Sequence, residues 1–350
     1  MSRMPAALRG PAPILAGLLA AWVLQASSGP LMGPFYTKLL MDIGINIILA
    51  VSLNMVNGFT GQFSIGHAGF MALGGYVAGA VTYYGSFRLW SSSASHFGAG
   101  DALFLVASLL GGCVAAMAGW IVGLPSLRLR GDYLAIVTLG FGEILRVLLQ
   151  QTGPVVLTAD EANAMPVASL ATRLGGSLGF TGLPYYTNVF WVSIWVAVTL
   201  MVALRVKFSS TGRALLSIRE NEIAAEAVGI PTTRYKVLAF VMAAFLAGIA
   251  GSLFAHEVGT SLNPRELGFQ KSFDIVIMVV LGGMGSISGS VLAAVVLTIL
   301  PELLRGISEF RMPVYALLLI LMMLMRPQGL LGLREIWELR FRRRAPETAA

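Results

Sequence analysis

Long apolar runs constrain this chain before anything else. Residues 102–124, 189–204 and 237–253 each pass without one charged side chain. A membrane-crossing helix needs roughly 20 mostly apolar residues, and backbone in lipid must bond to itself, which favours helices. The rest of the chain agrees. Soluble domains carry about 25% charged residues, whereas here 12% are charged and 56% are hydrophobic, with a mean hydropathy of +0.78. Too few polar groups remain to cover a globule, so lipid must cover the outside. The expected fold is an all-α polytopic membrane protein of roughly eight to ten spans. A net charge of +7 gathers in loops and in the tail Arg334, Arg340, Arg342, Arg343 and Arg344, with no aromatic-basic module that would suit nucleic acid. Cys113 is alone, so no disulfide framework exists.

Residues 1–38 form an N-terminal segment. Arg3 and Arg9 precede the apolar Ile14–Ala26, which has the features of a signal peptide as well as of a short span. The span is the reading adopted, because a polytopic chain needs no cleavable signal. Leu39–Val56 is the next span and holds Asp42, Asn46 and Asn54. Asp42 lies near the outer end and is expected to be solvated. Gly58–Gly75 then carries six glycines around Gln62, Ser64 and His67, too many for a plain helix at about 1 kcal/mol each. Two readings stand together: tight helix packing, or a broken helix lining a route. His67 reads as a hydrogen-bonded packing residue, since no metal-site spacing accompanies it.

Further along, Tyr133–Gln150 holds Glu143 and Arg146, an i, i+3 pair expected to be structural. Residues 151–187 lack an apolar run and suit the outer face. Phe273–Leu300 looks like one span, but charge parity requires a break at Gly282–Gly289, which yields two half-length or re-entrant pieces. Gly/Ser-interrupted segments in two halves of a membrane chain point to a transporter's route. The residues expected to line it are Asn54, Gly61, Gln62, Ser64, Gly66, His67, Gly282, Gly283, Gly285 and Ser286. No GxxxxGK[ST] motif, no HExxH and no chain of intramembrane carboxylates occurs. These absences weigh against an ATPase, an intramembrane enzyme and an ion-driven pump.

The longest polar stretch between spans is 209–236. Its basic residues Arg213, Arg219, Arg234 and Lys236, with Arg205 and Lys207 just before, mark the cytoplasmic side. Arg213–Val228 lacks Gly and Pro and is expected to be one surface helix. Leu215, Ile218, Ala225 and Val228 would share one face, and Gly229 and Pro231 would end it. The string GRALLSIRENEIAAEAVGI is similar to the coupling loop of ABC importer permeases.

Residues 52–76, 124–146, 235–256, 279–294 and 325–332 carry a wider likeness in the same order. Through them the chain resembles the M-type permease subunit of branched-chain amino acid importers. The likeness implies a permease domain over 39–332 and a basic cytoplasmic tail over 333–350, in a multi-pass protein of a bacterial inner membrane. It implies coupling residues Gly212, Arg213, Arg219, Glu220, Asn221, Glu222, Ala225, Glu226 and Gly229. It also implies as partners two ABC ATPase subunits, a second, H-type permease and a periplasmic solute-binding protein, besides membrane lipid and without nucleic acid. The chain would bind no metal or cofactor and would be no enzyme, ATP being used by the partners. The family's Thr-Gly-Gly element after the fifth span is replaced here by Leu157-Thr158-Ala159-Asp160. Urea, short amides or another small metabolite stand as alternative substrates beside branched-chain amino acids.

Overall fold

The computed structural model describes residues 21–22, 24–25, 33–90, 98–126, 133–257, 261–307, 311–326, 328–332 and 335–336. The first apolar run for the most part, the loop 127–132 and the arginine tail lie outside them. The described elements are helical, joined by turns and one isolated bridge between Phe180 and Leu262. They are α1 (Pro34–Asn57), α2 (His67–Trp90), α3 (Ala99–Ser126), α4 (Tyr133–Gln150), α5 (Ala159–Ala164), α6 (Val167–Leu170), α7 (Val189–Phe208), α8 (Ser210–Glu220), α9 (Glu222–Ala227), α10 (Thr232–Ala255), α11 (Phe269–Gly282), α12 (Ile287–Leu303) and α13 (Arg311–Met325). Among the described residues, six helices are long and apolar enough to cross a bilayer: α1, α3, α4, α7, α10 and α12. Helix α2 is as long as α1, and the shorter α11 and α13 run beside them. The fold is all-α and polytopic, as the apolar runs require.

Helix α1 is the axis. Pro34 occupies its first turn, where the missing N–H costs nothing. From Gly44 to Asn57 every residue is buried, as befits a helix apolar all round. It packs on α7, α10, α11 and α12.

Beside it α2, α3 and α10 pack through small residues. A Cβ on Gly74 would lie 2.3 Å from Gly248 Cα, one on Gly251 would lie 1.8 Å from Met71 O, and one on Gly111 would lie 2.5 Å from Gly74 O. Such backbone approach is open only to glycine, and it replaces the hydrophobic drive that lipid cannot supply. Polar side chains add glue: Ser108 and Ser252 hydroxyls meet at 2.5 Å, and Thr82 Oγ1 meets His256 Nε2 at 2.6 Å. Apolar side chains on the outside, such as Trp120 and Ile121 of α3 and Ile136, Ile144 and Leu148 of α4, are exposed and suit lipid.

Two breaks interrupt the bundle where the glycines cluster. Between α1 and α2, residues 58–60 turn and residues 61–66 run without regular secondary structure. Between α11 and α12 the chain reverses at Gly283, whose φ of +105° is a region that side chains rarely adopt. The end of α11 would leave carbonyls open. Leu330 N donates to Leu281 O at 2.7 Å and closes one of them. Ser286 caps α12 by accepting from Gly289 N at 3.1 Å. This break falls within Gly282–Gly289, where the sequence expects one.

Two polar features of the spans, the Glu143–Arg146 pair and Asp42, behave differently from one another. Arg146 Nε donates to Glu143 Oε2 at 2.6 Å, and Glu143 Oε1 accepts Phe269 N at 3.1 Å. The pair is structural: it satisfies an open N–H at the start of α11. Asp42, expected to be solvated, is instead half-buried and faces Glu257, because the end of α10 folds over α1 there.

Candidate coupling junction

The loop 209–236 begins where α7 ends. Ser209 Oγ accepts Gly212 N at 3.1 Å and starts α8. The loop contains two helices rather than the single expected one. Asn221 is extended, with φ −159° and ψ 109°, and its Oδ1 accepts Ala224 N at 3.0 Å, so it closes α8 and opens α9. An Asn side chain competes with the backbone in this way and favours caps over helix interiors. Gly229, with φ +84°, ends α9, and Ile230 N reaches back to Ala225 O at 3.1 Å. Leu215, Ile218 and Ala225 are buried as expected, but the kink turns Val228 outward. It is 77% exposed and Ile223 is 65% exposed, beside the exposed Glu226.

The charged side chains of the loop are held by the bundle. Arg219 Nη1 donates to Gly58 O at 2.7 Å and to Met284 O at 3.3 Å. One guanidinium thus grips the carbonyls of both glycine breaks. Glu222 Oε1 accepts from Lys236 Nζ at 2.6 Å, and Lys236 is only 3% exposed. This ties α9 to the foot of α10. Arg213 donates to Ser210 Oγ at 2.9 Å, within α8. Glu220 and Gly212 complete the helix, Glu220 exposed and Gly212 buried.

Beneath Arg219 the two breaks are stapled to each other. Asn54 Oδ1 accepts Gly285 N at 2.8 Å, and its Nδ2 donates to Ser286 O at 3.0 Å. Lys207, at the end of α7, donates to Gly285 O at 2.7 Å and pairs with Glu335. Glu335, 1% exposed, also accepts Ile287 N and Ser288 N, both at 2.9 Å, and the Ser288 hydroxyl. Burial alone would push the Glu335 carboxyl up; the Lys207 charge and these hydrogen bonds outweigh it and hold it below the ordinary range. An open groove of about 450 Å³ lies over the staple, lined by Lys207, Arg213, Leu216, Ser217, Arg219, Glu220 and Gly285.

Of the residues expected along a route, Asn54, Gly61, Gly282, Gly283, Gly285 and Ser286 gather at this junction. Gly61 lies against Arg219, and a Cβ on Gly283 would lie 2.4 Å from Gly332 O. Ser64 and Gly66 pack away from it: Ser64 N donates to Asn57 Oδ1 at 3.2 Å, and Gly66 abuts Thr138 O. His67 meets Ser52 Oγ at 2.8 Å, the packing role its surroundings suggested. Gln62 Oε1 is buried without a hydrogen-bond partner among the described residues. Lys207, Lys236 and Glu335 were not singled out from sequence as junction residues. Lys207 and Glu335 are 128 residues apart, and no local spacing signals that they meet.

An all-α bundle with two glycine breaks, both gripped by one charged loop, is the architecture of a polytopic membrane protein, and its relatives give the class as transport permease. Residues 35–326 match the family described as branched-chain amino acid transport system / permease component, and the chain belongs to that family. It is 37% identical to the high-affinity branched-chain amino acid transport system permease protein LivM of Salmonella typhimurium over 82% of this chain and 68% of the relative. It is 35% identical to LivM of Escherichia coli, over 90% and 72%. It is 26% identical to the permease protein LivH of Salmonella typhimurium, over 83% and 92%. No solved structure matches the chain.

Proposed function

We propose that this chain is a permease subunit of an ABC importer in a bacterial inner membrane. It would carry branched-chain or related amino acids inward, driven by ATP hydrolysis on two partner subunits. The observation that carries the reading is the Arg219 grip on Gly58 O and Met284 O. A partner that moves α8 and α9 must move both breaks. Ile223 and Val228 offer the partner an apolar contact, and Glu226 and Glu220 a charged rim. The transport cycle is alternating access: closure of the ATPases shifts the loop, the stapled breaks follow, and the bundle opens inward. A second, LivH-like permease completes the core, and a periplasmic binding protein delivers substrate. The chain holds no ATP itself. Urea or a short amide is the alternative cargo, left open by the altered segment 157–160.

The test is a pull-down of the chain from native membranes. Two ATP-binding subunits and a second permease should accompany the native chain. Ile223→Asp should release the ATPases and keep the second permease, since Ile223 is exposed and the bundle does not depend on it. A native chain that comes down alone would overturn the reading.

A further inference from the structure

A second polar cluster lies in the opposite half of the bundle, and neither the junction nor helix packing accounts for it. Glu257, just beyond α10, is 0% exposed. Neither of its carboxylate oxygens has a hydrogen-bond partner among the described residues. Its neighbour is another acid: the Asp42 carboxyl of α1 lies within hydrogen-bonding range of it. Two carboxyls face to face are unfavourable unless they share a proton or a cationic group joins them.

The cations nearby are not paired with them. Lys38 and Lys271 lie within electrostatic reach of both acids, yet no ion pair joins either lysine to Asp42 or Glu257 among the described residues. Lys271 Nζ donates instead to Asn46 Oδ1 at 3.1 Å, and Asn46 Nδ2 donates to Thr298 Oγ1 at 2.9 Å. An ammonium has three N–H donors, so Lys271 keeps donors for another acceptor. Asp274 and Glu266 also act on it electrostatically. Asn46 precedes Asn54 by two turns and more, about 12 Å along α1. The cluster therefore sits on the far side of the staple, where a solute from outside arrives before the junction opens. Lys38, one turn nearer the helix start, is exposed.

The geometry points to a subsite for the charged end of a free α-amino acid: Asp42 and Glu257 take its ammonium group, and Lys271 takes its carboxylate. This rests on the reading of the chain as an amino acid permease and names the residues that would hold that substrate. A neutral solute such as urea offers the two carboxyls N–H donors but no positive charge to offset theirs.

The test measures equilibrium binding of labelled leucine to the complex purified with its accompanying subunits. Two one-ended analogues compete: 3-methylbutylamine, which lacks the carboxylate, and 4-methylpentanoate, which lacks the ammonium. Glu257→Gln, Asp42→Asn and Lys271→Met should each weaken leucine binding tenfold or more. Competition by the amine should vanish in Glu257→Gln and survive in Lys271→Met, with the reverse for the acid. Leucine binding within twofold of native in Glu257→Gln and Asp42→Asn would overturn the subsite and leave the permease reading intact. A native complex that binds urea and no leucine would overturn the subsite and amino acids as the cargo, and leave the permease reading with its alternative cargo. Amine competition unchanged in all three variants would also overturn the subsite. If Glu257→Gln fails to assemble, as judged by size-exclusion elution, Asp42→Asn and Lys271→Met decide the matter alone.

Discussion

Arg219→Ala is expected to cut uptake to a tenth or less while the ATPases stay bound and continue to hydrolyse ATP. The guanidinium is the one side chain of α8 that reaches both glycine breaks, at Gly58 O and Met284 O. Hydrogen bonds from a charged donor contribute about 1.5–3 kcal/mol each, and 1.4 kcal/mol is a factor of ten. Losing either bond is therefore enough to let the loop move without the breaks. The bundle itself should survive, since the Asn54 staple and the Lys207 bond to Gly285 O remain. Arg219→Lys should fall between the two: an ammonium is a compact point charge and lacks the planar fork that spans both carbonyls. Uptake and ATP hydrolysis measured together in proteoliposomes decide it. Coupled uptake at the native rate in Arg219→Ala would sink the grip as the transmission step.

The sequence made some of this legible and hid the rest for physical reasons. Apolar runs and glycine punctuation are local signals, so the helical class and the break within Gly282–Gly289 could be read directly, while the glycines of 58–75 left tight packing and a break both open. Asn221 shows the limit: propensity favoured one helix over 213–228, while the competing side-chain cap sets two. The partners of Arg219 are backbone carbonyls, 161 and 65 residues away. No residue type marks such an acceptor. Glu257 directly follows the apolar run of α10, where nothing local marks it as buried. Its burial comes from α1 and the returning chain, which spacing along α10 does not encode. Val228 erred the other way: its place on an apolar face depended on a helix that the Asn221 cap interrupts.

Glu335→Gln is expected to be the most destabilising substitution at the junction. The carboxylate is buried, pairs with Lys207 and accepts the open N–H groups of Ile287 and Ser288 at the start of α12. Removing one member of a buried ion pair costs about 3–5 kcal/mol, because the other charge is left stranded. A helix N-terminus adds to the loss, since its partial positive charge favours an anion. Gln keeps the shape, so packing should hardly change and the loss reads the charge. Lys207→Met should be similarly costly alone, whereas the double variant should be less costly than the sum, which a double-mutant cycle measures. The pH dependence follows from the sign of the shift. The carboxyl titrates below its unfolded value of about 4.3 when folded. Its contribution is thus full above that value and disappears as pH falls through the lower, folded one. Melting of the detergent-solubilised chain between pH 7 and 3.5 should show the native protein losing stability below about pH 4.3 more steeply than Glu335→Gln. Parallel melting curves for the two proteins across that window would mean that Glu335 does not carry its charge at the junction.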